Sequence, residues 1–345
     1  MKILSVGWFL NESSTSLHRH LAIKKFSEQI DAVECGAAST SLFFKVAYHL
    51  FQKGVPIRLP DKNDANELIK KLVSQKYYDL VWIDKGITIN RKTLSYIKTR
   101  LPKAKIVSFS PDNMVERHNQ SLNYLECIPL YDIHFTTKSY IVESLRGLGA
   151  KNVHFVHKTY SEEFHYPRNL SSDEKRRLGA DVGFIGAWEK ERCNSILYLV
   201  DNGIRVKVYG GGNWNNYKNY ASNLEILPGV FSEDYPKALS AFKISLCFLR
   251  KMNKDQQTAR TMEIPACKSL MLAERTQEHQ ALFEEGKEAE FFSSDQELLN
   301  KCEYYLKYPE QREKIAAAGL QRCKDSGYSN ERTIEKMLSI CLSEK

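Results

Sequence analysis

Between residues 250 and 263 the chain carries Arg250, Lys251, Lys254, Asp255, Thr258, Arg260 and Glu263, directly after the apolar run ISLCFL. Cations grouped this closely can neutralise an anionic ligand such as a diphosphate, and a carboxylate such as Glu263 can accept two hydrogen bonds from a ribose diol. Thr258 is expected to cap a helix that starts there, leaving free N–H groups for phosphate. If both stand on one helix, a glycosidase-like pair of Asp255 and Glu263 is disfavoured, because eight residues of helix span roughly 12 Å, beyond the usual separation of acid and nucleophile; the alternative is that Asp255 precedes the helix. The competing reading is an amphipathic helix whose charges only face water.

Two glycine-bearing stretches offer a second kind of anion site. DVGFIGAWEKER places Gly186 between an apolar strand and a helix containing Arg192, and VKVYGGGNW places Gly210, Gly211 and Gly212 after the next strand. Glycine lets backbone N–H groups approach a phosphate, and a helix amino terminus favours anions. Plain tight turns are the alternative at both places, since neither stretch matches G-x-G-x-x-G. Earlier in the chain Gly7 precedes the hydroxyl-rich NESSTS, Asp84 and Lys85 end one strand, and Asp112 and Asn113 end another. Carboxylates at strand ends are candidate bases for an acceptor hydroxyl, and equally ordinary turn residues. No D-x-D and no C-x-x-C occurs, and the histidines lack zinc spacing, so no metal site is expected.

These residues sit on an alternation of short β-rich runs and helical stretches. KILSV, VPIRL, YDLVWID, AKIVSFS, YDIHFTT and NVHFVHK read as strands, with helices such as TSLFFKVAYHLFQKG and RKTLSYIKTRL between them. Residues 160–178 turn polar, and DVGFIG, IRVKVYGGG, NLEIL, KISLCFL, SLMLAE and AEFF then form a second series. The expectation is an α/β protein of two tandem Rossmann-like doubly wound domains, over 1–165 and 181–328, with a linker at 166–180. A final helix over 329–345 could cross back to the first domain. Ligands of such sheets lie at the carboxyl ends of the strands, or in a cleft between the domains.

Composition narrows the class. With 42% hydrophobic and 27% charged residues the chain is globular rather than disordered. The net charge of +8 belongs to the first half, where residues 1–168 hold 24 Lys+Arg against 16 Asp+Glu and the remainder holds 26 of each. A basic half beside a neutral one suggests an anionic partner such as lipid headgroups or phosphates. Aromatics are not interleaved with the basic residues as a single-strand stacking platform requires, which argues against nucleic acid. Eight unpatterned cysteines suit buried thiols in a reducing cytosol, and no apolar run approaches the roughly 18 residues of a membrane span. A cytoplasmic protein, at most peripheral to a membrane, is expected.

DVGFIGAWEKER, VKVYGGGNW, LPGVF and QTARTMEIPACKSLMLAERTQEHQALFEEGKEAEFF together resemble the carboxyl-terminal domain of GT-B glycosyltransferases, in the CgeB-like branch of the glycosyl transferases group 1 superfamily. SPDNM and YDIHFTTKSY resemble the amino-terminal half more loosely. The resemblance implies a metal-independent enzyme without a cofactor, taking a sugar from a nucleotide-diphosphate donor to a carbohydrate or lipid-linked acceptor in surface polysaccharide synthesis, with retained configuration. By resemblance Glu263 holds the ribose and Asp255 lies near the transferred sugar. Arg192, Arg250, Lys254 or Arg260 neutralises the diphosphate, with Gly186, Gly210, Gly211 and Thr258 around it. Asp112 is then the preferred first-domain carboxylate, with Gly7, Lys85, His134 and Lys138 on the acceptor side, although a lone histidine in a strand is more often a core residue. Two departures stand out: Lys268 occupies a position where relatives carry glycine, and Pro265 falls inside the expected helix. A GT-B nucleotide-sugar epimerase and a non-catalytic two-domain protein binding phosphate or nucleic acid are the rival readings.

Overall fold

The structure, a computed structural model, describes residues 1–36 and 41–343. It divides into two units, one formed by Met1–His157 together with the helix that starts at Asn330, the other by Lys158–Ser329.

The first unit is built on six parallel strands: β1 (Lys2–Gly7), β2 (Gln29–Glu34), β3 (Leu80–Asp84), β4 (Lys105–Ser110), β5 (Ile133–Thr136) and β6 (Asn152–Phe155), in the order β2-β1-β3-β4-β5-β6. Strands buried on both faces read as continuous apolar runs, and β3, LVWID, is buried at every position. One face packs Leu4, Val6, Val81, Ile83 and Ile106 under helices that include Ala65–Gln75 and Arg91–Arg100. The other face packs Ile3, Trp82, Phe109 and Phe135 against helix Thr15–Lys25 and against Ile334, Met337, Leu338 and Cys341 of helix Asn330–Ser343.

The run VPIRL is not a strand. Pro56 has no N–H to give a ladder, and the segment's bonds go elsewhere: Ile57 O accepts from Leu122 N at 3.1 Å and Leu59 N donates to Asn123 Oδ1 at 2.8 Å. The second strand is instead QIDAVE, an edge strand with only Val33 fully buried, whose polar composition hides it from periodicity.

The second unit repeats the plan with β7 (Ala180–Ile185), β8 (Val206–Tyr209), β9 (Leu224–Leu227), β10 (Phe242–Cys247), β11 (Leu270–Glu274) and β12 (Glu290–Phe292), all parallel, in the order β12-β11-β10-β7-β8-β9. The order reverses between β7 and β10, so the crevice expected to take a ligand opens at their carboxyl ends. The stretch 166–180, expected as a linker, contains helix Ser172–Leu178, closed by a capping box in which Ser171 Oγ accepts from Glu174 N while Glu174 reaches back to Ser171 N. Leu178 of that helix joins the core with Leu239 and Phe242, so the segment belongs to the second unit's packing.

Candidate active site

The loops after β7 and β10 meet around three arginines. Arg192, in the first turn of helix Lys190–Asp201, is only 6% exposed, donates from Nη1 to Ala187 O at 3.1 Å and lies 3.3 Å from Glu189 Oε1 through Nη2. Arg250, just beyond β10, reaches the same Glu189 oxygen from Nε at 3.3 Å. Burial pushes the Arg192 guanidinium below its ordinary range; Glu189 opposes this, while the charges of Arg260 and Arg250 add to it. The buried Nε–H groups of Arg192 and Arg260 have no hydrogen-bond partner. Unpaired buried donors cost about 1–3 kcal/mol each. Two arginines sharing one carboxylate, with the charge of Arg260 felt at Arg192 and donors to spare, form a site poised for an anion of more than one charge.

Glycine spacing around this crevice has mixed causes. A Cβ on Gly210 would lie 2.6 Å from Gly186 O and 2.4 Å from Trp214 Cδ1, because Trp214 Nε1 donates to Gly186 O at 3.0 Å. Close packing of the two loops therefore explains Gly210, and a φ of +63° explains Gly212. Around Gly211 and Gly212 alike there is open space, and Gly211 is the one of the three that neither packing nor a positive φ explains.

Glu263 sits in helix Arg260–Ala266 and is 6% exposed. Tyr235 donates to its Oε2 at 2.5 Å, and His165 Nε2 stands 3.6 Å from Oε1. Because Ser161 N donates to His165 Nδ1 at 3.1 Å, the neutral ring carries its proton on Nε2, facing the carboxylate. Burial and the Glu263 charge together push the Tyr235 hydroxyl well above its usual range, so it remains a donor. Neither Tyr235 nor His165 was legible as a site residue, since each lies far from Glu263 in sequence among unremarkable neighbours.

Two expectations for this segment are corrected. Thr258 does not cap the helix: its N–H donates to Thr261 Oγ1 at 3.0 Å, and its hydroxyl lies 3.7 Å from Cys247 Sγ. Asp255 and Glu263 do not share a helix either, for Asp255 lies in the preceding loop with its N–H on Arg250 O at 3.2 Å, so the helical-rise argument against their pairing does not apply. Lys254 is exposed in that loop with a φ of +50°. Pro265 lies inside the seven-residue helix, past its first turn, so the helix forgoes the bond that an N–H there would give to Thr261 O. Lys268, next to the helix end, has a φ of +59°, the conformation that favours the glycine noted in relatives.

In the first unit the strand-end candidates are drawn together in part. Lys85, at the end of β3 with a φ of +48°, pairs through Nζ with Asp112 Oδ2 at 2.5 Å, and its N–H donates to Phe109 O at 2.8 Å. Thr137 ties the loop after β5 to that after β4 by donating from Oγ1 to Pro111 O at 3.0 Å, and Lys138 follows, buried, with its N–H on Thr136 Oγ1 at 3.2 Å. Asp84 is not open to a ligand: Arg19 of helix Thr15–Lys25 holds it with Nε on Oδ2 at 2.6 Å and Nη2 on Oδ1 at 3.0 Å, and Arg19 also stacks 4.2 Å from the Phe109 ring centre. Gly7 marks close packing, since a Cβ there would lie 2.5 Å from Ser16 Oγ. His134 is corrected from acceptor side to core. It is 1% exposed, bonds Ile128 O through Nε2 at 3.0 Å, and burial lowers its pKa to about 4. Among the described residues no group of three or more His, Cys, Asp or Glu forms a metal site, and no helix is long and apolar enough to cross a membrane.

Two parallel six-stranded sheets with interleaved helices are the architecture of GT-B glycosyltransferases, and comparison with solved structures confirms that fold. Residues 192–339 match the family model described as glycosyl transferase-like. Anabaena Alr3699/HepE, solved in complex with UDP-glucose, is similar at a TM-score of 0.64 with 14% identity over 98% of this chain and 99% of that one. Sucrose-phosphate synthase from Thermosynechococcus elongatus gives 0.68 with 10% identity over 99% of this chain and 98% of that one. A proposed UDP-N-acetylglucosamine 2-epimerase from Listeria monocytogenes gives 0.59 with 10% identity over 98% and 94%. The chain matches no curated protein sequence.

Proposed function

We propose that this protein is a glycosyltransferase that takes a sugar from a nucleotide-diphosphate donor held by its second unit and passes it to an acceptor hydroxyl. The observation that carries the reading is the arginine group at the β7/β10 crevice, Arg192, Arg250 and Arg260, with two buried Nε–H groups unpaired. As the glycosidic bond breaks, charge builds on the departing diphosphate, and fixed cations there lower the barrier without needing to reorganise. Glu263, anchored by Tyr235 and faced by His165, is the acceptor for a ribose diol. Asp255 lies on the loop between Arg250 and this helix, beside the donor sugar, and Gly211 leaves room for the diphosphate.

On the acceptor side Asp112, paired to Lys85, is the base for the incoming hydroxyl. The family match over residues 192–339 and the UDP-glucose complex of a protein of the same fold support a nucleotide-sugar donor. Retention of anomeric configuration, independence of added metal and a part in surface polysaccharide synthesis complete the reading.

A thermal-shift series with UDP, GDP, CDP and ADP, followed by turnover of the matching nucleotide sugars with and without EDTA, tests it. Stabilisation by one nucleoside diphosphate and transfer or slow hydrolysis of its sugar are expected. Conversion of the donor into a stereoisomer with no acceptor present would show an epimerase instead.

A further inference from the structure

Helix Leu42–Gln52, LFFKVAYHLFQ, has more apolar surface than its fold uses. Ala47 and Phe51 are buried, whereas Leu42 is 76% exposed, Phe43 73% and Val46 51%, with Leu50 exposed beside them. Phe43, Val46 and Leu50 recur at intervals of three and four, so they form one stripe along the helix. Val55, just past the helix, is exposed as well. The chain segment that carries the stripe, residues 35–60, contains Lys45, Lys53 and Arg58 and no Asp or Glu, with Arg58 paired to Glu126. The first unit as a whole holds 25 Lys+Arg against 17 Asp+Glu, carrying the entire net charge of +8. An apolar stripe that carries Lys45 and is followed by Lys53, on a unit of net charge +8, is complementary to a bilayer with anionic headgroups.

Beside the stripe the same helix walls a cavity of about 430 Å³ at the carboxyl ends of the first sheet. Trp8, Phe44, Tyr48 and Leu59 supply its apolar lining, and Lys45 and Lys62 its charge. Lys62 Nζ stands 4.2 Å from the Phe44 ring centre, and burial lowers the pKa of its ammonium, partly offset by Glu34. A space with aromatic walls and a partly desolvated cation takes a group that is apolar at one end and anionic at the other.

We propose that helix Leu42–Gln52 lies on an anionic membrane and that the cavity behind it receives the phosphate-bearing end of a membrane amphiphile, which is the acceptor. The acceptor role rests on the transferase reading above; the membrane and cavity contacts do not, and are measured without any nucleotide sugar.

Co-sedimentation of the full chain with vesicles of phosphatidylcholine, alone and mixed with phosphatidylglycerol, tests the surface. Binding is expected only to the mixed vesicles and is expected to fall by about tenfold or more in a Phe43→Ser, Val46→Ser double variant, whose changes are exposed and spare the core. A Leu148→Ser control, at another exposed apolar residue, should bind like wild type. Equal binding by the double variant, or no binding by the wild type, overturns the surface.

Farnesyl phosphate, followed by the fluorescence of Trp8, tests the cavity. A saturable change is expected that is absent with farnesol, absent with inorganic phosphate, and lost in Lys62→Glu and in Trp8→Phe. The same change with either half-ligand, or its survival in both variants, overturns the cavity assignment. Intact nucleotide binding in these variants separates failure here from failure of the transferase reading.

Discussion

Tyr235 and Glu263 face one another across 2.5 Å in the interior of the second unit, with the phenol donating and the carboxylate accepting. The pair joins helix Asp234–Ala241 to helix Arg260–Ala266 and fixes which way the carboxylate points. A Tyr235→Phe variant leaves Oε2 without that donor in a buried setting. Its folding stability should drop by about 1–3 kcal/mol in urea titration, and its affinity for the preferred nucleoside diphosphate should fall. Glu263→Gln keeps the volume and should retain most stability while losing nucleotide affinity, because an amide offers the ribose one acceptor oxygen in place of two. Unchanged nucleotide binding by both variants would remove Glu263 from the donor site.

Arg192 is expected to read the diphosphate and not the nucleoside. Calorimetry of an Arg192→Ala variant should show UDP, or whichever diphosphate stabilises the wild type, bound roughly tenfold or more weakly, with the matching nucleoside unaffected. Loss of both in equal measure would mean that the variant has disturbed the crevice as a whole.

Arg19 and Asp84 make a bidentate buried pair in the first unit, with side chains 7% and 5% exposed. Removing one partner strands the other charge in the interior. Asp84→Ala should therefore destabilise by about 3–5 kcal/mol, whereas an Arg19→Met, Asp84→Leu double variant should recover much of that loss. Urea denaturation of the three proteins measures the difference.

Lys268 pays a conformational cost that glycine would not, with its φ of +59°. Lys268→Gly is expected to raise stability by about 0.5–1 kcal/mol, read from the same denaturation curves. A loss of stability would indicate that the lysine side chain has a compensating contact.

His134 gives the first unit an acid sensitivity. Its folded-state pKa of about 4 lies below the ordinary 6.5. Above pH 6.5 the residue is neutral folded or unfolded, and its contribution is complete. As pH falls from 6.5 towards 4 the unfolded chain takes up the proton first, and roughly 3 kcal/mol of stability is lost across that window. The pH dependence of unfolding in His134→Asn should be flatter over this range than in the wild type.

Much of the fold was legible because parallel strands buried on both faces announce themselves as apolar runs, and LVWID and ISLC in the two units do so. QIDAVE did not, since an edge strand buries little, and VPIRL imitated a strand while its backbone bonds served a loop. The charged segment 250–263 was legible as a group because its members are close in sequence. What it touches was not: Glu189, Tyr235 and His165 come from three other loops and helices, and tertiary packing alone brings them there. His134 went to the commoner of the two fates weighed for a lone strand histidine: placed on the acceptor side by resemblance, it is a core residue satisfied by one carbonyl.

The helix Asn330–Ser343 packs its Ile334, Met337 and Leu338 on Ile3, Trp82 and Phe135, although more than three hundred residues separate them along the chain from Ile3. During synthesis the second unit, Lys158–Ser329, emerges whole before that helix exists. The first unit, though begun first, must wait with one face of its sheet covered only in part, by helix Thr15–Lys25. Completion of its core is thus a late event in the life of the nascent chain, and a truncation just ahead of Asn330 leaves the amino-terminal sheet, not the carboxyl-terminal one, with the unburied surface that chaperones and proteases recognise.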